Sequence, residues 1–434
     1  MDDVLSHDYF GNDPELGRDP YPWFEAAREH GPVWQEPHHG VFIVTGHDEY
    51  VQVAGDTDNF SNIVVSLGPF TGVSFDPEGR EDISDLIAAR RDQVPLSNMF
   101  ITFDPPRHTA HRALLKRLLT PRRVAENEQF MHRCAHELLN AFAADGHVEF
   151  YRQFAGPYTL LVVADLLGIT ADDQPKLLEY FQGGNRRRVR SDRTMEEELA
   201  EHGGGLIGHV AALFERYVHE RRAEPRDDIV TAIATATFPD GTMPTVDDLV
   251  SLAYMLTAAG QETTAKMLCS AMCHLAQSPE LTASLRADPD AIGAFVEEIL
   301  RMLSPVKGSF RIARRTTTVG DTTIPVGSIV MICNTAANRD PAHFAAPQAF
   351  DPDRDDMRWH LAFGHGPHYC IGASLARSEA RIGLTAILDR IDDIRIAPGA
   401  ELEYVSSINL RGLKSLPLEF TPSPLPATSP SPVA

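Results

Sequence analysis

One cysteine, Cys370, stands in the glycine-rich run Phe363-Gly364-His365-Gly366-Pro367-His368-Tyr369-Cys370-Ile371-Gly372, which passes directly into the helix-forming Ala373-Ser374-Leu375-Ala376-Arg377. No other stretch restricts the fold as much. A helix start favours negative charge, so a thiol placed there ionises more readily. Glycines around it remove side-chain bulk, letting backbone N–H groups approach the sulfur and a flat group lie against the loop. The arrangement presents a thiolate to a metal. Two other readings stand beside it: a buried structural cysteine, and a zinc site built from His365, His368 and Cys370. Zinc sites usually pair short spacings from two places in a chain, and the sequence holds no second Cys/His pair of that kind.

The chain has 434 residues, 43% hydrophobic and 8% aromatic, enough to bury a large core together with an apolar cofactor. A formal net charge of -22 argues against a nucleic-acid or anionic-membrane binder. The 5 cysteines (134, 269, 273, 333 and 370) are odd in number and mostly in apolar contexts, which speaks against a disulfide framework and for a reducing cytoplasm. Met1-Asp2-Asp3-Val4 opens the chain without a basic or apolar leader. The longest helix-like apolar run, Leu249 to Gly260, is about 12 residues against the roughly 20 that span a bilayer. The expectation is a cytoplasmic monomer without a membrane anchor.

Periodicity is mainly helical, with expected helices at 21–28, 107–119, 122–144, 157–167, 172–182, 196–221, 227–236 and 246–276. Strands are expected at 41–44, 311–313, 322–325 and 328–332, with a further pair between 393 and 420. Glycines and prolines interrupt 66–98, which reads as a long loop with one short helix. The fold class is mainly α with small β-sheets. Residues 1–420 are expected to form one domain, with β-rich parts at about 30–65, 310–335 and 393–420 and a helical part at about 105–305. Residues 421–434 are rich in Pro and Ser and are expected to be a disordered tail.

Within 246–276 the segment Leu252 to Gly260 is nearly all apolar, as is Met267-Leu268-Cys269, yet Gln261-Glu262-Thr263-Thr264 lies between them. A helix apolar on most faces is buried, and polar groups inside it need partners. Gly260 and the alanines before it leave room beside the backbone, and Thr263 can donate its hydroxyl to the carbonyl of Ala259, loosening the helix locally. A polar turn facing solvent is the alternative.

The Cys370 loop resembles the heme-binding signature of the cytochrome P450 family, Phe-Gly-x-Gly-x-His-x-Cys-x-Gly, at every specified position. The resemblance implies the cytochrome P450 fold, heme b as cofactor, Cys370 as the thiolate ligand of its iron, and Phe363, Gly364, His368 and Gly372 around it. The turn at Gly260 resembles the family's oxygen-activation motif, Ala/Gly-Gly-x-Asp/Glu-Thr-Thr/Ser, which implies Glu262 as acid and Thr263 as alcohol in proton delivery to dioxygen, with Ala259 and Gly260 beside the cofactor. Glu298 and Arg301 resemble its Glu-x-x-Arg pair and Phe350-Asp351-Pro352-Asp353-Arg354 its later Arg-bearing segment, implying a structural cluster beneath the loop. Propionate partners are implied at His108, Arg112, Arg311 and His368. His111 is expected at the surface, and the His38-His39 pair in a loop.

Arg107, Arg112, Lys116, Arg117, Arg122 and Arg123 form a basic run without acidic residues between 107 and 125, which reads as a solvated face or as a dock for an acidic redox protein. A second basic run, Arg186 to Arg190, is expected over the substrate channel. Leu96, Asn98, Ile101, Ala258, Ala259, Val306 and Ile408 are expected to line the pocket by family position. The implied activity is hydroxylation of a hydrophobic small molecule (a terpenoid, fatty acyl chain, steroid or aromatic compound) by dioxygen, with electrons from NAD(P)H through ferredoxin reductase and ferredoxin. Two alternatives remain at this point: a peroxide-driven heme-thiolate enzyme, and a non-catalytic heme-based sensor.

Overall fold

Helices make up most of the regular structure because apolar residues recur at helical spacing between Pro105 and Cys273. The structure is a computed structural model that describes residues 3–11, 13–184, 205–238 and 240–423. In chain order the main helices are α1 (Tyr21–Glu29), α2 (His47–Gly55), α3 (Arg107–Leu118), α4 (Pro121–Asn140), α5 (Gly156–Leu166), α6 (Gln174–Gly184), α7 (Gly205–Ala223), α8 (Val246–Gln277), α9 (Ile292–Met302) and α10 (Ala373–Leu388). The helix expected at 227–236 is a shorter one, Ile229–Ala234, and the one at 122–144 ends at Asn140. A short helix, Ser84–Arg90, interrupts the 66–98 loop. Arg186–Arg190 and the first residues of the helix expected at 196–221 lie outside the described residues.

Helix α8 is the 32-residue axis of the molecule. It begins with a reciprocal capping box, in which the Thr245 hydroxyl accepts from the Asp248 N–H and the Asp248 carboxylate accepts from the Thr245 N–H. Apolar residues bury it on most faces against α5, α7 and α10. At Gly260 it meets α5 so closely that a Cβ would lie 2.9 Å from Val163 Cγ2. Among the described residues no helix is long and apolar enough to cross a membrane.

The strands are β1 (Val33–Gln35), β2 (Phe42–Val44), β3 (Phe60–Ser61), β4 (His147–Glu149), β5 (Ser309–Ala313), β6 (Thr317–Val319), β7 (Thr322–Ile324), β8 (Ile329–Ile332), β9 (Ile391–Ile396) and β10 (Pro417–Pro422). They form a five-stranded sheet in the order β1-β2-β8-β5-β3, a three-stranded sheet β4-β10-β9 and the hairpin β6-β7. β2 and β8 run parallel, with Phe42 opposite Val330, and all three residues of β2 are buried, as a strand covered on both faces requires. β10 continues past the boundary expected at 420, pairing Pro422 with Ile391, so residues 421 and 422 belong to the sheet. Residues 424–434 lie outside the described residues.

Candidate active site

The Cys370 loop is shaped by backbone conformations that only glycine adopts readily. Gly364 (φ +73) and Gly366 (φ +69) are left-handed, and a Cβ on Gly366 would lie 2.6 Å from the Ala54 carbonyl oxygen of α2. The Cys370 N–H donates to the Phe363 carbonyl at 2.8 Å, closing the loop, and Gly372 caps α10. The cysteine has accessible surface because its sulfur faces an internal cavity, although protein surrounds the residue closely. Burial pushes the thiol up, while the Gly372 N–H and the guanidinium groups of Arg112 and Arg377 pull it down.

Two ion-pair clusters hold this loop from behind. Glu298 and Arg301, both 0% exposed, pair twice, at 2.7 and 2.8 Å, and Arg354 reaches the same carboxylate at 3.2 Å. Arg301 also donates to the carbonyls of Asn338, Pro347 and Ala349, tying α9 to the chain that leads into the loop. The neighbouring Glu297 accepts from Arg377 of α10 at 2.7 Å and from His360 at 2.8 Å. Burial would raise its carboxyl, but these two partners together hold it down at about 2. Arg377 further stacks on Phe363, 4.5 Å from the ring centre. Sequence reasoning found the first cluster and missed the second.

Across the cavity stands the wall made by α8. The Thr263 hydroxyl donates to the Ala259 carbonyl at 2.6 Å, as expected, and Thr159 of α5 donates to the Gln261 carbonyl at 2.9 Å. The turn therefore shares its carbonyls with side chains, which loosens it. Ala259, Gly260, Thr263 and Thr264 line the cavity, but Glu262 does not. One position along a helix is a rotation of about 100°, and Glu262 instead stands beside Lys266 and Tyr151, whose ionisation its charge perturbs. Lys266 is buried, donates to the Leu413 carbonyl at 2.8 Å and sits 4.2 Å over the Tyr151 ring.

The third wall is cationic. Arg112 of α3 donates to the Tyr369 carbonyl at 2.8 Å, and Arg311 of β5 to the Phe310 carbonyl at 2.8 Å and to Ser309 Oγ at 3.2 Å. Both line the cavity, and neither has an ion pair among the described residues. His368 lines it too, its ring 3.9 Å from that of His108, which lies one layer back against Phe100. Nε2 of each imidazole is buried without a hydrogen-bond partner. Burial and the nearby guanidinium groups hold His108 down at about 4 and His368 at about 2. Unpaired guanidinium groups and orphaned ring nitrogens around an apolar cavity of about 380 Å³, with a thiol on its floor, fit a flat iron cofactor bearing two carboxylates.

Some expected positions fall elsewhere. His111 is buried rather than at the surface, with Nδ1 3.0 Å from the Arg107 carbonyl and Nε2 3.2 Å from Asp248 Oδ1, because α3 packs on the start of α8. Of the expected pocket residues, Ile101, Ala259 and Val306 line the cavity; Leu96, Asn98, Ala258 and Ile408 do not. Asn98 instead accepts a bond from Ser251 through its carbonyl, and Ile408 packs on the N-terminal core. Glu379 of α10 is a cavity residue that sequence reasoning missed: its carboxyl oxygens are buried without partners, and burial pushes it well above the usual range. His39 lies in a loop 3.0 Å from Asp8.

The cytochrome P450 family model matches residues 192–392. Cytochrome P450 144 of Mycobacterium tuberculosis is 33% identical over 413 residues, 94% of this chain and 90% of that protein. The cytochrome P450 monooxygenase PikC of Streptomyces venezuelae is 30% identical over 414 residues, 94% of this chain and 92% of its own. Among solved structures, the substrate-free form of Mycobacterium marinum cytochrome P450 CYP150A6 superposes with a TM-score of 0.89 at 41% identity, over 97% of this chain and 100% of that one. Similarity of this extent goes beyond a shared fold: the chain belongs to the cytochrome P450 family and is a monooxygenase whose family membership implies a heme-thiolate cofactor.

Proposed function

We propose that the chain holds heme b between α8 and the Cys370 loop and hydroxylates a hydrophobic small molecule bound on the Thr263 side. The observation that carries this reading is one cavity with the Cys370 sulfur on one wall and the Thr263 hydroxyl on another. When bound, heme supplies the redox chemistry for splitting dioxygen, with the thiolate donating electron density. Cys370 holds the iron, Arg112, Arg311 and His368 hold the propionates, and His108 backs His368. Thr263 positions water and a proton next to the reacting oxygen. Glu262, turned toward Lys266 and away from the cavity, collects protons from the outer side of α8. Ile101, Leu256, Met255 and Val306 give the substrate end an apolar surface, which favours a terpenoid, fatty acyl, steroid or aromatic substrate.

Electrons are proposed to arrive from NAD(P)H through a ferredoxin-type donor on the surface of α3. Of the basic run, Arg112 is turned inward, Arg107 stacks on Phe103, and Arg122 pairs with Glu126. Lys116 and Arg117 are exposed and have no ion pair among the described residues, leaving them free to steer an acidic partner.

The test is NADH consumption with a surrogate ferredoxin system across a panel of hydrophobic compounds, with product identification and ligand-induced spin-state shifts. Dioxygen-dependent hydroxylated product is expected. Product formed only with added peroxide would point to the peroxide-driven alternative, and ligand binding without turnover to a sensor. Lys116→Glu with Arg117→Glu is expected to slow ferredoxin-supported reduction by about tenfold at low salt, an effect shrinking as salt rises, with spin-state titrations unchanged. Equal reduction rates would remove α3 as the docking face.

A further inference from the structure

Outside the cavity, the start of α2 faces the turn that follows β8, and three metal-ligating side chains meet there. A ring nitrogen each from His47 and His343 and an Asp48 carboxylate oxygen all lie within 4.8 Å of one another. His47 is the first residue of α2 and is 4% exposed. Its backbone N–H donates to Asp340 Oδ2 at 2.8 Å, and its Nε2 lies 2.9 Å from the Trp359 carbonyl. A carbonyl only accepts, so Nε2 carries the ring proton, and in the neutral imidazole Nδ1 is left as a bare lone pair.

That lone pair is buried and has no hydrogen-bond partner. Asp48 Oδ1 lies 3.7 Å away and is also an acceptor. His47 is buried while the Asp48 side chain is 84% exposed, and two acceptors placed face to face attract only through a proton or a cation held between them. The same carboxylate oxygen is 3.0 Å from His343 Nε2, and the two imidazole rings are stacked with centres 3.6 Å apart and planes 30° apart. The Asp340 carboxylate and carbonyl hold the turn that presents His343, accepting from the N–H groups of Ala342 and His343.

We propose that His47 Nδ1, Asp48 and His343 Nε2 form a binding site for a divalent transition-metal ion of the zinc class, completed by water. An ion bonded to nitrogen and oxygen at about 2.0–2.2 Å keeps its donors roughly 3.4 Å apart in a tetrahedron. Two of the observed separations, 3.0 and 3.7 Å, lie on either side of that value, and the third, between the two histidine nitrogens, is within 4.8 Å. Two imidazoles select zinc-class ions over magnesium or calcium, which take oxygen ligands. The Trp359 carbonyl on the far nitrogen of His47 is the outer partner that fixes the tautomer of a metal-ligating histidine. Closure needs the half-exposed His343 ring to turn until its lone pair points at the ion, in exchange for the proton it now shares with Asp48. The ion would join α2 to the 340–344 turn. α2 in turn supplies Tyr50 and Ala54 to the cavity wall, and the Ala54 carbonyl sits against Gly366.

The experiment uses the untagged, heme-loaded full chain after treatment with a chelator, titrated with zinc chloride near neutral pH by calorimetry and followed by thermal melting. One zinc ion per chain and a raised melting temperature are expected, with no shift from magnesium chloride. His343→Ala and Asp48→Asn, both at side chains that reach solvent, are each expected to weaken zinc binding at least tenfold while melting like the zinc-free protein. No zinc binding by the unsubstituted chain would overturn the assignment. So would unchanged affinity in both variants, since zinc would then be held by other histidines such as His38 and His39.

Discussion

The Cys370 wall and the Thr263 wall face each other across one cavity, yet they are held in place by different physics. Behind Cys370 the loop is fixed by left-handed glycines and by two carboxylates that each gather more than one partner: Glu298 with Arg301 and Arg354, Glu297 with Arg377 and His360. Behind Thr263 there is one long helix, packed by apolar side chains and locally loosened where Thr263 and Thr159 take up its carbonyls. A charge network tolerates almost no displacement, because a buried ion that loses its partner keeps its desolvation cost. An apolar helix face can change its side chains while the helix stays where it is. The two walls therefore tolerate change to different degrees.

Removing one member of the buried network is the most direct way to break this contrast. Arg301→Ala leaves Glu298 buried and takes away bonds to the Asn338, Pro347 and Ala349 carbonyls. The expected loss is about 3–5 kcal/mol, enough to remove cofactor and fold together. Thermal melting and the carbon monoxide difference spectrum read both. A variant that melts like the unsubstituted chain and keeps its full heme content would mean that the two walls do not differ in the way described.

On the opposite wall the expectation reverses: the fold is spared and the chemistry suffers. Thr263→Val keeps the shape and removes the hydroxyl, so the melting temperature stays close to that of the unsubstituted chain. Product formed per NADH consumed is expected to fall by about an order of magnitude or more, as for loss of a positioned proton donor. Simultaneous measurement of NADH, product and peroxide checks it. Retained coupling would assign proton delivery to another group, and the cavity-facing Thr264 is the first to examine.

The same contrast governs what could be read from the sequence. Glycines at 364 and 366, the acid and base three apart at Glu298 and Arg301, and the apolar periodicity of α8 are local patterns, and local patterns survive without coordinates. Partners brought together by the fold leave no such mark. His111 looks like a surface histidine until α8 supplies Asp248, 137 residues later in the chain. Glu297 is indistinguishable from its neighbour Glu298 until Arg377, 80 residues away, singles it out. Helix rotation makes the finest distinctions: Ala259 and Thr263 face the cavity while the adjacent Ala258 and Glu262 do not. The loop residues Leu96 and Asn98 failed as pocket predictions because the path of a long loop is set by what it packs on.

The Glu297 cluster gives the smallest and most selective test, because its contribution depends on pH. Its carboxyl is moved from the usual 4.5 to about 2, burial opposing the shift and Arg377 and His360 prevailing over it. A carboxyl whose folded pKa is depressed stabilises the protein above its unfolded value, and that contribution is lost as pH falls toward the folded one. Stability supplied by Glu297 is therefore complete above about pH 5 and drains away toward pH 2. Glu297→Gln is expected to lower the melting temperature by a few degrees at neutral pH, and the gap from the unsubstituted chain is expected to close on acidification through that window. A gap that stays constant with pH would show that Glu297 acts by packing and hydrogen bonding alone. The Cys370 wall would then be held electrostatically by the Glu298 cluster alone, whose acid and base are sealed from water.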